Sequence, residues 1–363
     1  MKKVLILTAA YGEGHNAAAR GLFAGCELAG GIEARVVDSF ADGMGAAYEK
    51  SRQGYLRLID RWPLVWAGVY GVLDRTPLIY FTLPFLRQVQ AALARCLAEF
   101  QPDAIVSTYP VYSYLLARLR TRTPRFSVVT DSITVNSVWH RCGSDLYFVP
   151  NEDTARVMRA AGVPEKKLRV LGFPVPPRFA HPPEARPTPG QGEPLRVLFM
   201  INAAKDRAPG LTRRLLQIDG LQLTVTAGRD EALKAALEAV GRESGKPLEV
   251  HGWTPNMPEL LMRSHLLIGK AGGAAVQETT AARTPMIVTQ VVPGQEEGNA
   301  RLLVENGCGA VCPTTEGIAV KIQELLANDA QGWKQWEANI TKLSRPEAAL
   351  QIARETVKAI ESK

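Results

Sequence analysis

Two doubly wound α/β domains are what this chain of 363 residues predicts, and three observations predict them. Continuous apolar runs, of the kind a parallel strand buried on both faces requires, alternate with helix-forming runs. The alternation occurs twice along the chain. Between the two series, eight of the 24 prolines fall in residues 174–194, which makes a stiff, non-helical connection. The reading is therefore an N-terminal domain over residues 1–175, a linker over 176–194 and a second domain over 195–340. A C-terminal helix over 341–363 is placed to pack back on the first domain.

Composition agrees with a two-domain globular chain. Hydrophobic residues make up 46% and charged residues 22%, which excludes a disordered composition. The formal charge of +7 suits anionic partners: phosphates, an acidic membrane surface or nucleic acid. No nucleic-acid-binding motif accompanies it. The five cysteines are scattered without a CxxC pair, which points to reduced thiols rather than a metal site or disulfide framework. The first apolar run is too short for a signal-peptide core, and no apolar stretch approaches the ~18 residues of a membrane span. The expectation is a soluble or peripheral protein.

Residues 4–7 read as the first buried strand. Tyr11-Gly12-Glu13-Gly14-His15-Asn16-Ala17 follows and opens an Ala-rich helix. Residues 32–37 form the next strand, ending at Asp38. Two glycines, a helix start and an acid at the next strand end also fit a dinucleotide fingerprint. His15 weakens that reading, because a pyrophosphate turn has no use for a base. Residues 44–90 are mostly helical. Here Tyr48, Tyr55, Trp62, Trp66, Tyr70, Tyr80, Phe81 and Phe85 interleave with Arg52, Arg57, Arg61, Arg75 and Arg87. That composition suits a membrane interface, or a helical subdomain turning its rings inward.

Strands resume at 103–108, 126–130, 145–149 and 168–171. Asp131 stands at a strand end, where open α/β sheets place functional groups, or where it caps a turn. The second series has strands at 195–201, 221–226, 248–251, 265–269, 286–290 and 310–312, with helices over 230–240 and 257–262 and a helical end from 318. Gly272-Gly273-Ala274-Ala275-Val276-Gln277-Glu278 follows the strand at 265–269. Glycines at a strand-to-helix turn let backbone N–H groups approach an anion, and the helix N-terminus adds positive charge. Glu278 then projects a carboxylate suited to ribose hydroxyls. Val292-Pro293-Gly294-Gln295-Glu296-Glu297 presents amide and carboxylate groups suited to a sugar. Together the two segments read as a nucleotide-sugar site. The plainer alternative is two β-to-α turns with solvated polar residues. Two doubly wound domains would bring their sheet edges across a cleft, with the His15 loop opposite the Gly272 loop.

These motifs resemble the monogalactosyl- and monoglucosyl-diacylglycerol synthases of glycosyltransferase family 28, which have the GT-B fold. The likeness rests on Gly12-x-Gly14-His15, on Thr130-Asp131 followed by Trp139, and on Gly172-Phe173-Pro174-Val175. Asn256-Met257-Pro258-Glu259-Leu260 and the run from Lys270 to Asn299 with Pro293-Gly294-Gln295-Glu296 complete it. The resemblance implies UDP-glucose or UDP-galactose as donor, with no cofactor required, and a lipid acceptor such as diacylglycerol; no Asp-x-Asp pair ends a candidate strand of the second domain, so no metal is assigned. It implies that Gly272 and Gly273 lie against the diphosphate and Glu278 takes the ribose. The backbone around Trp253 meets the uracil, and Gln295, Glu296 and Asn299 lie near the hexose, with Gly14 beside the donor. His15 is the expected base in an inverting transfer; Asp131 orients it or is itself the base. The aromatic and basic stretch would be the acceptor and membrane surface, placing the protein peripherally on the inner face of the cell membrane. A polyprenyl-linked acceptor and a non-catalytic UDP-sugar sensor are the alternatives. The sequence departs from the family at Asn202-Ala203-Ala204-Lys205, where a glycine-rich turn is usual, at Ala271, where proline is common, and at Asn136, near the place of a histidine.

Overall fold

A computed structural model describes residues 1–62, 65, 68, 71, 86–182, 186–190, 192–294 and 296–362. Trp66, Tyr70, Arg75, Tyr80, Phe81 and Phe85 of the aromatic stretch, and Gln295 of the sugar segment, lie outside the described residues. The chain forms two compact units. One comprises residues 1–177, 292–298 and 345–363; the other comprises 178–291 and 299–344.

The first unit is built on a parallel sheet of β1 (Lys2–Leu7), β2 (Ile32–Val37), β3 (Ala104–Ser107), β4 (Arg125–Val128), β5 (Leu146–Val149) and β6 (Leu168–Val170), in the order β2-β1-β3-β4-β5-β6. Val4, Leu5, Ile6 and Leu7 are all fully buried, as a central strand covered on both faces requires. The chain steps outward from β1 to β2, then returns past β1 to β3 and continues the other way. The switch point therefore lies between β1 and β3, and the loops leaving those two strands flank it.

Helix α1 (Glu13–Ala29) leaves β1 and presents Gly21 and Gly25 on one side. A Cβ at Gly21 would stand 1.7 Å from the Pro174 carbonyl oxygen, and one at Gly25 would stand 2.4 Å from that of Ala349. The glycines let α1 lie directly on the Gly172-Phe173-Pro174-Val175 segment and on the last helix (Ala348–Glu361). Gly172, at φ 104°, admits the Arg345 and Ala348 side chains. Gly21→Ala is expected to destabilise the protein by about 2–3 kcal/mol, as overpacking against backbone does. Gly54→Ala, on an exposed helix face with none of the described residues within 4 Å of the added Cβ, should instead stabilise by up to ~1 kcal/mol. Urea unfolding of the two variants checks the opposite signs.

Helix α2 (Ser39–Met44) is capped by Asp38, whose Oδ1 accepts from the Phe40 and Ala41 N–H groups at 3.0 and 3.2 Å. Its Oδ2 takes the Tyr48 hydroxyl, on α3 (Ala46–Arg61), and the Ala10 N–H. This overturns the dinucleotide reading of Asp38. The carboxylate at the end of β2 is committed to capping and to Tyr48, and is not presented to a ribose.

The second unit has a parallel sheet of β7 (Leu195–Met200), β8 (Leu221–Thr226), β9 (Leu248–His251), β10 (Leu266–Lys270), β11 (Met286–Gln290) and β12 (Gly309–Val311), ordered β12-β11-β10-β7-β8-β9. Its switch point lies between β7 and β10. The proline-rich segment is strapped to this unit. Arg186 donates to the carbonyls of Ser264 and Arg283, both at 2.6 Å, and to the Thr284 hydroxyl at 2.7 Å.

His265 completes the strap. Its Nδ1 accepts from the Arg196 N–H at 2.9 Å, and its Nε2–H donates to the Pro187 carbonyl at 2.7 Å. Protonation would set two N–H groups against each other, and burial pushes the pKa down to about 4. As pH falls from 6.5 to about 4, the unfolded chain binds this proton and the folded chain does not. Stability should therefore fall over that window by about 2–3 kcal/mol at this site. His265→Gln should show a shallower acid slope than wild type in urea unfolding, although it is weaker at neutral pH. Equal slopes would contradict the assignment.

Candidate functional site

His15 lies in the first turn of α1, on one side of the β1/β3 switch point. The loop after β3 lies on the other side and clamps it. The His15 Nδ1–H donates to the Thr108 carbonyl at 2.7 Å, and the Thr108 hydroxyl donates to the His15 carbonyl at 3.0 Å. Thr130, just beyond β4, places its hydroxyl 3.0 Å from the same Nδ1. With Nδ1 carrying the proton, Nε2 carries the lone pair. The ring packs edge-on to Tyr109 at 5.0 Å and tilted against Trp139 at 6.3 Å. Burial pushes the His15 pKa down to about 4, opposed by the Thr108 hydrogen bond. At neutral pH the imidazole is uncharged and able to accept a proton.

Asp131 is half-buried beside this group. Its Oδ2 accepts from the Trp139 indole N–H at 2.9 Å and from the Asn136 N–H at 3.2 Å. It thus fixes the indole that backs the His15 ring. Asn136 uses its own side-chain oxygen to take the Val138 N–H at 3.0 Å. The next residues are strained: Ile133 is buried in a left-handed conformation at φ 59°, costly for a β-branched side chain.

An aromatic wall adjoins His15 through Tyr109. Tyr11 stacks on Tyr109 at 6.1 Å and meets Phe40, Tyr48 and Tyr55 edge-on at 5.4–5.9 Å. Tyr48 and Tyr55 therefore turn inward, while Trp62 is 59% exposed. Neither Thr108 nor Tyr11 is marked by a motif; only strand order shows that the loops after β1 and β3 must meet.

The segment 292–298 folds on itself. Glu296 is buried, and its Oε2 accepts from the Val292 N–H at 2.9 Å. The same first unit holds Gly298 against the loop after β4.

In the second unit, Gly272 is the N-cap of α11 (Gly273–Ala281) and offers no side-chain cap. A Cβ there would meet none of the described residues within 4 Å. The turn is pinned from both sides. Ala271 donates its N–H to the Gln290 carbonyl at 3.1 Å, a bond that proline at this place cannot make, and its own carbonyl accepts from Asn299 Nδ2 at 3.1 Å. Asn299 is thereby buried in support of the turn. A register shift between Gly269 and Lys270 re-aims the strand end just ahead of it. Glu278 lies half-buried on α11.

Trp253 follows β9 and is 63% exposed, with the Arg229 guanidinium 5.5 Å from its ring centre. Among the described residues no three His, Cys, Asp or Glu side chains gather to hold a metal ion. A recess of about 400 Å³ lined by Glu238, Arg242, Lys246, Leu248 and Val250 contains none of the expected site residues. The convergent chemistry lies at the two switch points.

Comparison with known proteins follows the two halves of the chain. The model of monogalactosyldiacylglycerol synthase matches residues 15–175, and that of the glycosyltransferase family 28 C-terminal domain matches residues 198–354. A processive diacylglycerol beta-glucosyltransferase of Bacillus subtilis is 28% identical over 90% of this chain and 88% of its own length. A probable chloroplastic monogalactosyldiacylglycerol synthase of Glycine max is 27% identical over 97% of this chain and 70% of its own. Among solved structures, Acinetobacter baumannii MurG superposes with a TM-score of 0.65 at 13% identity, covering 99% of this chain and all of its own. The spinosyn rhamnosyltransferase SpnG, complexed with thymidine diphosphate, gives 0.56 at 15% identity, covering 97% and 99%. The solved structures show the GT-B fold, and the two family matches, which between them span most of the chain, show that it belongs to the monogalactosyldiacylglycerol synthase group of family 28 glycosyltransferases.

Proposed function

We propose that this protein is an inverting glycosyltransferase that moves glucose or galactose from its UDP-sugar to diacylglycerol. The observation that carries the reading is how His15 is held: Thr108 and Thr130 fix its Nδ1, which leaves Nε2 to serve as the base. The acceptor hydroxyl gives its proton to Nε2 as its oxygen bonds to the anomeric carbon. The bond from that carbon to the diphosphate oxygen breaks on the opposite face. Charge grows on the departing UDP, and the N-terminus of α11 at Gly272 and Gly273, which no side chain caps, suits it. Glu278 takes the ribose and Trp253 flanks the uracil. Gln295, Glu296 and Asn299 serve the hexose side, Glu296 and Asn299 also holding their segments in shape. Gly14 keeps the His15 turn free of a side chain. Asp131 acts through Trp139 as a positioning residue.

The acceptor reading draws on the aromatic wall beside His15 and on the named relatives, which glycosylate diacylglycerol or are described as synthases of its galactolipid. No helix among the described residues is long and apolar enough to cross a membrane. With a charge of +7, a peripheral position on an anionic surface, on the inner face of the cell membrane, follows as part of the proposal. The test is purified protein with diacylglycerol vesicles of graded anionic-lipid content and a panel of UDP-sugars, reading UDP release and glycolipid. Hexose transfer that rises with anionic lipid is expected. Absence of transfer from every UDP-hexose would overturn the reading, and transfer only to polyprenyl-linked acceptors would replace the lipid.

A further inference from the structure

The second sheet's switch point lies between β7 and β10, and an anionic ligand of a doubly wound sheet lies over the switch, between the loops that leave those two strands. One of these loops is the Gly272 turn. The other, Asn202-Ala203-Ala204-Lys205, leaves β7 and leads into α8 (Ala208–Leu216). It brings a cation to the same edge. Lys205 is half exposed, and its ammonium stands 2.8 Å from Asp230 Oδ2. Asp230 follows β8 and caps α9 (Glu231–Ser244) through its other oxygen, which accepts from the Leu233 N–H at 3.0 Å.

An ion pair this open to solvent is held weakly and is readily exchanged. A nucleoside diphosphate offers more negative charge than one carboxylate. Lysine is also suited to change partners, being a point charge on a flexible stem. Ala204 holds the turn in a left-handed conformation at φ 47°, so the loop keeps a glycine-like shape without a glycine. The mechanism above leaves the β7 side of the diphosphate without a counter-charge.

We propose that Lys205 is that counter-charge: it leaves Asp230 when the donor enters and binds the diphosphate from the β7 side, opposite the Gly272 helix N-terminus. Asp230 is its resting partner. The inference rests on the UDP-sugar reading and adds a residue to it.

Calorimetric titration with UDP and with uridine separates the two. Lys205→Gln should weaken UDP about 10- to 100-fold, the loss of one charge-assisted bond, and leave uridine unchanged. Lys205→Arg should retain much of the UDP affinity. Asp230→Asn keeps the helix cap and frees the lysine, so it should tighten UDP severalfold. UDP affinity unchanged in Lys205→Gln, or UDP and uridine weakened alike, would overturn the role of Lys205 and leave the donor reading standing. A wild-type protein that binds no UDP would overturn both.

Discussion

His15→Ala and His15→Gln are expected to lower kcat by about 10²–10⁴-fold with little change in donor affinity, the effect of removing a general base. The geometry makes the prediction specific. Nδ1 is committed to Thr108 and Thr130, so only Nε2 can accept the proton. Burial favours the neutral ring and pushes its pKa to about 4. Protonation destroys the base, so kcat/KM should stay level from neutral pH down past 6.5, the value of a free histidine, and fall only near pH 4. Thr130→Val should act in the same direction but mildly, by about 2- to 10-fold, since one neutral hydrogen bond is lost. Turnover in vesicles across pH measures all of these. Near-normal turnover in His15→Gln would remove His15 from the chemistry, and an acid limb near 6.5 would show that the ring is not desolvated as described.

What could be read in the sequence, and what could not, follows a physical division. The strands at β1, β7 and β10 were legible because strands buried on both faces must be continuously apolar. His15 stood out because a titratable ring is unusual in a glycine turn, but its clamping by Thr108 and Thr130 left no mark in the sequence. Asp38 misled in its dinucleotide reading, because an acid that caps a helix and an acid that binds a ribose occupy the same place after a strand; only the contact with Tyr48 separates them. Thr108 was silent for a different reason. It acts through its carbonyl as well as its hydroxyl, and any residue has a carbonyl; its role comes from β3 lying beside β1. The linker read only as a stiff, non-helical connection, since proline density reports stiffness and not attachment. Its anchoring through Arg186 and His265 depends on partners some 80 to 100 residues away in sequence. Glycines within helices were the hardest to read. Taken alone each is a weak helix former, and only the neighbouring backbone shows what it admits.

Gly298→Ala should be the most damaging change of this kind, lowering kcat/KM by about 10²-fold or more, as a misplacement of about 1 Å near a reacting centre does. Gly298 lies in the first turn of α12 (Glu297–Glu305). A Cβ there would stand 1.9 Å from the Ser132 carbonyl oxygen, 2.3 Å from the Thr134 hydroxyl and 2.8 Å from the Thr134 nitrogen. Two of the three obstacles are backbone atoms, so no rotamer change relieves the clash. The loop that must yield is already strained at Ile133 and tethered by its N–H to the Thr154 hydroxyl at 3.2 Å. It begins at Asp131, which holds Trp139 against His15, so displacement passes directly to the ring proposed as the base. On the other side the push acts on residues 292–296, whose turn Glu296 clasps. Far-ultraviolet circular dichroism should show the fold retained while kcat/KM falls, and Gly298→Ser should behave alike. Full activity in Gly298→Ala would mean that the loop after β4 has slack, and would remove the argument that Asp131 and Trp139 must be held in register with His15.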